Sequence, residues 1–340
     1  MGKKGLHGKN ACNQPAQTLN SPFWRGRALV YLKLFFFCRT HIGGTMTLLT
    51  QFSEYLISLD RSPATVRGYL TDLSVFSRWL GRDLTTLGPA DVREYRTSLL
   101  KTGAAAQTAN RKLAAIAAFG NWAAQNKILP GNPALNVKSV ETVSLAPKWL
   151  DKKQRNALIQ AMKDDLQKAR IRYPRLWLLR LRDTVVVTLL LNTGLRVSEV
   201  SNLRVSDILM TERKAALTVR AGKGGKQRSV PINSEARRLL DEWISIRPDS
   251  GSEMLFLGQR GEKMQVRSVQ LAVSRLADLA GLKDVTPHIC RHTFAKSLLD
   301  NGVTLEKVAA LLGHESLNTT RLYVTPGERD LEEAVARLVG

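Results

Sequence analysis

The chain has 340 residues, 44% of them hydrophobic, enough to bury the cores of two ordinary domains and to exclude wholesale disorder. Its net charge is +22 and its pI about 10.3, an imbalance that costs the fold self-repulsion and points to a polyanionic partner, nucleic acid ahead of an anionic membrane surface. The three cysteines, Cys12, Cys38 and Cys290, are odd in number and scattered, which excludes a disulfide framework and fits a reducing compartment.

Residues 1–45 carry seven Lys or Arg and no Asp or Glu, so the remainder still holds +15. They show no sustained helical or strand period. The segment reads either as a basic arm or as an upstream extension ahead of a start at Met46, with the second reading preferred. Its apolar stretch, Ala28 to Cys38, is broken by Lys33, followed by Arg39 and His41, and lacks a small-residue cleavage pattern. No apolar run approaches the roughly 18 residues of a membrane span. A cytoplasmic protein with no membrane partner is expected.

From Thr47 to about Asn126 the spacing predicts four helices. Leu48, Leu49, Phe52, Tyr55, Leu56 and Leu59 share one helical face. Ser62 is an N-cap candidate with Pro63 at the first helical position, and Gly81 stops that helix. Pro89 opens a third helix and Gly103 closes it. The fourth, Ala104 to Gln125, carries Leu113, Ile116, Phe119 and Trp122 as its stripe. Residues 46–130 are expected as a helical bundle and 131–148, rich in breakers and polar residues, as a linker. A second domain is expected over 149–340. Helical patterns run over Asp151–Gln167 and Leu176–Asn192. Two β-like runs, Ala215–Ala221 and Gln227–Ile232, flank a glycine-rich turn at 222–226 and predict a hairpin. Helices return at Glu235–Ile246, Val266–Ala280, His288–Asn301, Leu305–Leu312 and Ser316–Tyr323. A last amphipathic helix spans Glu328–Val339. The expected class is mainly α with a small β-sheet.

Several polar residues stand out. Arg196 follows the Thr193-Gly194 break and needs an acceptor, either a carboxylate (Glu199 or Asp183) or a ligand phosphate. Lys223 and Lys226 sit at the hairpin tip, where glycines permit close approach to a phosphate. Thr286-Pro287 marks a helix start, and His288 and Arg291, three apart, share one face there. His288 and His292 have the spacing of two zinc ligands, but further ligands are wanting and Arg291 would repel a cation. His314 ends another helix, with Tyr323 nine residues on. Two arginines, a lysine, two histidines and a tyrosine suit phosphoryl transfer. Preorganised cations stabilise the charge spread over nonbridging oxygens, and a tyrosine can attack phosphorus. No dense carboxylate cluster accompanies them, so magnesium is not suggested, and no cofactor is expected.

Four ordered stretches resemble the tyrosine recombinases, particularly the Xer and the phage or transposon integrases. They are Asn192-Thr193-Gly194-Leu195-Arg196-Val197-Ser198-Glu199, the run from Gly222 to Pro231, Thr286-Pro287-His288-Ile289-Cys290-Arg291-His292-Thr293-Phe294-Ala295, and Leu311-Leu312-Gly313-His314-Glu315-Ser316 with Thr319-Thr320-Arg321-Leu322-Tyr323. The resemblance covers about Met46 to Gly340. It implies a core-binding helical bundle followed by a catalytic domain. It implies site-specific cutting and rejoining of double-stranded DNA through a 3′-phosphotyrosyl link, without metal or ATP. In that scheme Arg196 and Arg291 hold the scissile phosphate, and Lys223 protonates the leaving 5′ hydroxyl. His288 acts as general acid and base, His314 hydrogen-bonds the phosphate, and Tyr323 attacks. Asp183 and Glu199 orient the arginines. The resemblance also implies four subunits on two DNA sites, with the last helix docked on a neighbour, accessory recombination proteins as a further partner class, and a nucleoid-associated location. Two alternatives are a catalytically silent DNA-binding module and a type IB topoisomerase.

Overall fold

The computed structural model describes residues 43–142, 147–212, 214–220, 227–314 and 317–321. The chain divides into two compact units, one ending at Thr142 and one beginning at Val143.

The first unit holds helices α1 (Gly43–Ser58), α2 (Pro63–Leu80), α3 (Pro89–Lys101) and α4 (Ala106–Gln125), the four that the apolar spacing predicts. Their ends follow local chemistry. Ser62 Oγ accepts the Thr65 N–H at 3.1 Å, Pro63 follows with its preset φ, and α2 stops where Gly81 turns left-handed at φ 69°. The stripes converge on Phe52, Leu73, Phe76, Ile116 and Phe119, all fully buried. Phe52 meets Phe119 edge-on at 5.5 Å. Each such side chain contributes roughly 1.5–3 kcal/mol on leaving water. The run expected as the start of the linker lies against this bundle. Ala134 is buried in it, and the Asn110 side chain bonds Val140 both ways, donating to its carbonyl (2.8 Å) and accepting its N–H (2.7 Å). Backbone polar groups in an extended segment need partners, and Asn110 supplies them.

The second unit is built around a helix whose second half is buried on all sides. It opens with α5 (Lys152–Arg172), whose Asp151–Gln154 capping box fixes its start, and which runs five residues past the expected Gln167. Next comes α6 (Pro174–Thr193), buried almost continuously from Leu181 to Leu191 because other helices cover each of its faces. After the short helix α7 (Val197–Asn202), three antiparallel strands form a sheet in the order β1 (Ile208–Met210), β2 (Ala215–Arg220), β3 (Gln227–Ile232). Leu217 pairs with Val230 and Val219 with Arg228. Ala215, Leu217 and Val219 alternate inward along β2. Pro231 is tolerated because β3 is an edge strand. Helices α8 (Ser234–Ile246), α9 (Val266–Leu279), α10 (Pro287–Asp300), α11 (Leu305–Leu312) and α12 (Leu317–Arg321) complete the described fold. The mainly helical class with one small sheet is therefore observed, with β1 and α7 in addition to the expected elements. Among the described residues no helix is long and apolar enough to cross a membrane.

Candidate active site

The site forms where the end of α6, the edge strand β3, α10 and the end of α11 meet. Gly194 closes α6 in the left-handed conformation at φ 62°. A Cβ at that position would lie 2.4 Å from Phe294 Cδ1 and 2.7 Å from Leu312 Cδ2, so only glycine admits both neighbours. Gly194→Ala is expected to destabilise the protein by roughly 2–5 kcal/mol, the sum of a left-handed alanine and an overpacked contact. A drop in the urea midpoint at unchanged slope is the measurement; a midpoint equal to wild type would mean that the two side chains move aside freely.

Arg196 follows as the N-cap of α7. Its backbone N–H donates to Glu199 Oε2 (2.8 Å) and its NH1 to Glu199 Oε1 (3.0 Å). Glu199 also takes a bidentate pair from Arg228, NH1 to Oε1 at 3.0 Å and NH2 to Oε2 at 2.8 Å. Burial alone pushes the Glu199 carboxyl up. The hydrogen bonds from Arg228 and Arg196 and the charge of Arg228 outweigh it and hold the group below the ordinary carboxylate range.

The C-terminal end of α11 organises the arginines. Its last carbonyls lack helical partners and sit at the negative end of the helix dipole. Three successive ones are each taken by a different arginine: Leu311 O by Arg228 Nε (3.0 Å), Leu312 O by Arg291 NH2 (2.9 Å) and Gly313 O by Arg196 NH2 (3.2 Å). Arg291 NH1 reaches back to Gly194 O at 2.6 Å. Arg291 is only 4% exposed, whereas the Arg196 side chain is 41% exposed. Three guanidinium groups thus gather at one helix end, two of them on the Glu199 carboxylate, and the excess positive charge fits an anion bearing several oxygens.

His314 stands directly after this helix end. Its Nε2 lies 2.8 Å from Arg291 NH2 and its Nδ1 2.8 Å from Thr320 Oγ1. Arginine only donates, so Nε2 accepts and the ring proton sits on Nδ1, donated to Thr320. Burial, then the charges of Arg291, Arg196, Arg228 and His292, push the ring down to about 4, so it is neutral at physiological pH. In this arrangement His314 braces Arg291. The folded ring refuses a proton that the unfolded chain takes up near 6.5, so stability falls as pH drops from 6.5 toward 4. Urea midpoints at pH 7 and pH 5 should differ less in His314→Gln than in wild type; equal differences would rule this histidine out as a source of acid sensitivity.

His288 lies in the first turn of α10 with its side chain exposed, while Arg291 points inward. The one-face pairing expected from their spacing is therefore divided between surface and core. The His288 and His292 rings stand 6.5 Å apart, and burial, with the charges of His288 and Arg291, lowers His292. Among the described residues no group of three His, Cys, Asp or Glu converges as a metal site. Cys290, fully buried on the same helix, has its thiol pushed up to about 12 by desolvation and is a packing residue. Asp183 takes a different place from the one expected. Its carboxylate pairs with the neighbouring Arg182 (2.8 Å) and lies 3.6 Å from Arg275, so it braces α6 against α9 instead of orienting Arg196 or Arg291. Lys223, Lys226, Tyr323 and the helix expected at Glu328–Val339 lie outside the described residues. Sequence reasoning missed Arg228 and Thr320. The signal for Arg228 was its phase: it shares the inward face of β3 with Val230 and Ile232, where an arginine needs buried acceptors.

With this geometry in hand, comparison with known proteins is consistent from one end of the described chain to the other. The phage integrase family profile matches residues 148–329, and the phage integrase N-terminal SAM-like domain profile matches residues 49–127. Tyrosine recombinase XerC of Corynebacterium glutamicum is 32% identical over 291 residues, 85% of this chain and 90% of that protein. Tyrosine recombinase XerC of Mycobacterium tuberculosis is 34% identical over 302 residues, 86% of this chain and 95% of that protein. Among solved structures, a XerH site-specific recombinase bound to palindromic difH substrate shares the fold with a TM-score of 0.68 at 20% identity, covering 93% of this chain and 95% of its own. A lambda integrase (75–356) dimer bound to a COC′ core site does so with a TM-score of 0.63 at 18% identity, covering 82% and 94%. These matches favour neither the silent binding module nor the topoisomerase. The chain belongs to the phage integrase family and is a site-specific tyrosine recombinase, an enzyme that cuts and rejoins DNA.

Proposed function

We propose that Tyr323 attacks the scissile phosphorus of duplex DNA and forms a 3′-phosphotyrosyl link while the bond from phosphorus to the 5′ oxygen breaks. His288 takes the tyrosine proton, and Lys223 gives one to the departing 5′ oxygen. Arg196 and Arg291 stabilise the charge on the nonbridging oxygens. The reverse reaction, with the 5′ hydroxyl of another strand as nucleophile, rejoins the DNA and regenerates the enzyme. The link preserves one phosphoester for another, so no external energy is needed.

The observation that carries this reading is the cluster of Arg196, Arg228 and Arg291 on three successive carbonyls beside a neutral His314. It is a rigid, cationic place built in advance of its ligand. The +22 charge supplies the longer-range attraction to DNA. In this scheme residues 46–130 form the core-binding domain, 131–148 the linker and 149–340 the catalytic domain. The matched XerH and lambda integrase structures are DNA complexes, which supports a DNA substrate. Four subunits on two sites, docking of Glu328–Val339 on a neighbour, and a nucleoid location complete the scheme.

The test is to incubate the full chain with supercoiled plasmid and fragmented DNA of its source in the presence of a chelator, quench in detergent, and sequence the attached DNA. Digestion should then leave a nucleotide on the peptide containing Tyr323. Salt-sensitive binding without adduct on any DNA would return the silent binding module. Relaxation of supercoils without exchange between two sites would return the topoisomerase.

A further inference from the structure

Arg228 stands outside the set that the resemblance implies, yet three pieces of the site meet on its guanidinium. It belongs to β3, the strand that begins four residues after Lys223 in the sequence. It clasps both oxygens of Glu199, the carboxylate that also holds Arg196. Its Nε holds the Leu311 carbonyl, one residue before the carbonyl held by Arg291. Every one of these donors is aimed at the protein, and the side chain is only 18% exposed. The fit is close: a Cβ on Gly313, already left-handed at φ 66°, would stand 2.9 Å from Arg228 NH1 and 3.0 Å from its Cδ.

We propose that Arg228 is a positioning residue for recombination: it fixes Glu199, and through it Arg196, against the end of α11, and acts on the phosphate only through those groups. The proposal rests on the phosphate-site reading above. Its electrostatic logic is simple. Glu199 alone would neutralise Arg196. With Arg228 offsetting the carboxylate, Arg196 keeps a surplus charge to offer an incoming phosphate. The same charge reaches His314, whose ring is faced by Arg291 and His292 from α10, by Arg196 from the turn before α7 and by Arg228 from β3, with Glu199 as the countercharge among them. Removing Arg228 takes away one cation and leaves Glu199 less compensated, so the His314 ring should protonate more readily.

The experiment compares the full chain with Arg228→Met, Arg228→Lys, Glu199→Gln and the double variant Glu199→Gln/Arg228→Met. The duplex recovered by adduct sequencing is the probe. For Arg228→Met the expected result is a cleavage rate lower by roughly 10- to 100-fold, the usual cost of an outer partner that orients a site residue. Affinity for the same duplex should stay within roughly threefold, because no phosphate contact is lost. The acid limb of the rate profile should move to higher pH. In the free protein, NMR titration with labelled histidine should place the His314 ring higher by roughly half a unit or more. The double variant should be no slower than the slower single one, since both residues act along one chain of contacts. If Arg228→Met does not fold, Arg228→Lys carries the test: it keeps the charge, loses the two-pronged grip on Glu199, and should lose rate at unchanged affinity. A wild-type rate with an unmoved His314 titration overturns the proposal. So does a loss of affinity equal to the loss of rate, which would make Arg228 a direct phosphate contact. Wild-type protein that forms no adduct counts against the recombinase mechanism instead, and the titration in the free protein then decides Arg228 alone.

Discussion

Tyr323→Phe should form no covalent adduct with DNA while binding it as wild type does. The substitution removes one oxygen and keeps the ring, so it deletes the proposed nucleophile and little else. The phenol normally loses its proton near 10, so it needs a base and a cationic setting to attack at neutral pH. In the proposed reaction the arginine cluster supplies that setting, and none of its residues changes in the variant. DNA affinity should remain within roughly threefold, because phosphate contacts from Lys and Arg dominate it, and its salt dependence should be unchanged. Detergent gels of labelled duplex measure the first quantity and filter binding at several salt concentrations the second. Two of the described tyrosines give controls. Tyr95 is 2% exposed in the helical bundle, its hydroxyl pushed up by burial and then by the charge of Asp72, so it is a poor nucleophile. Tyr173 is exposed at the junction of α5 and α6, and Tyr173→Phe should leave adduct yield unchanged. An adduct of wild-type yield in Tyr323→Phe would move the nucleophile to another residue and sink the assignment.

Much of the fold was legible because burial writes itself into spacing. The Phe52, Phe76 and Phe119 stripes repeat at helical period, and Ala215, Leu217 and Val219 alternate as a half-buried strand must. Short elements left no such trace. β1 has three residues and α7 has six, fewer than two full turns, and both are fixed by what they pack against. The site was legible as a set of residue types, not as a network. The acceptors that organise it are the backbone carbonyls of Gly194, Leu311, Leu312 and Gly313, which no side-chain pattern encodes. Asp183 was misplaced for a related reason. Its partner is the adjacent Arg182, and neighbours along a helix do not ordinarily face each other. Here both lie in a buried apolar helix, where each polar group must take whatever partner it can reach, and Arg182 completes its bonding on the Leu257 carbonyl at 2.7 Å.

Arg291→Lys is expected to slow cleavage by roughly 1,000-fold, the upper range for losing a preorganised donor to a developing oxyanion. The charge is conserved in this variant, so the loss measures geometry. The Arg291 fork reaches three acceptors in two directions: Gly194 O at 2.6 Å, Leu312 O at 2.9 Å and His314 Nε2 at 2.8 Å. A lysine ammonium is a single point on a flexible stem and cannot span the ends of α6 and α11 together. At least one buried carbonyl is left unpaired, which should lower folding stability by roughly 1–3 kcal/mol, read from the urea midpoint. His314 loses the donor that fixes its ring. Rejoining passes through the same transition state in reverse, so it should slow by the same factor as cutting. The fraction of DNA held as adduct at equilibrium should therefore stay near the wild-type value, reached about 1,000 times more slowly. Time courses of adduct formation, and of its decay after excess 5′ hydroxyl strand is added, separate the two rates. A variant that cuts at wild-type speed would show that charge alone suffices at this position. A variant that cuts slowly but rejoins at wild-type speed would show that Arg291 stabilises the adduct as much as the transition state, and would overturn its assignment to the transition state alone.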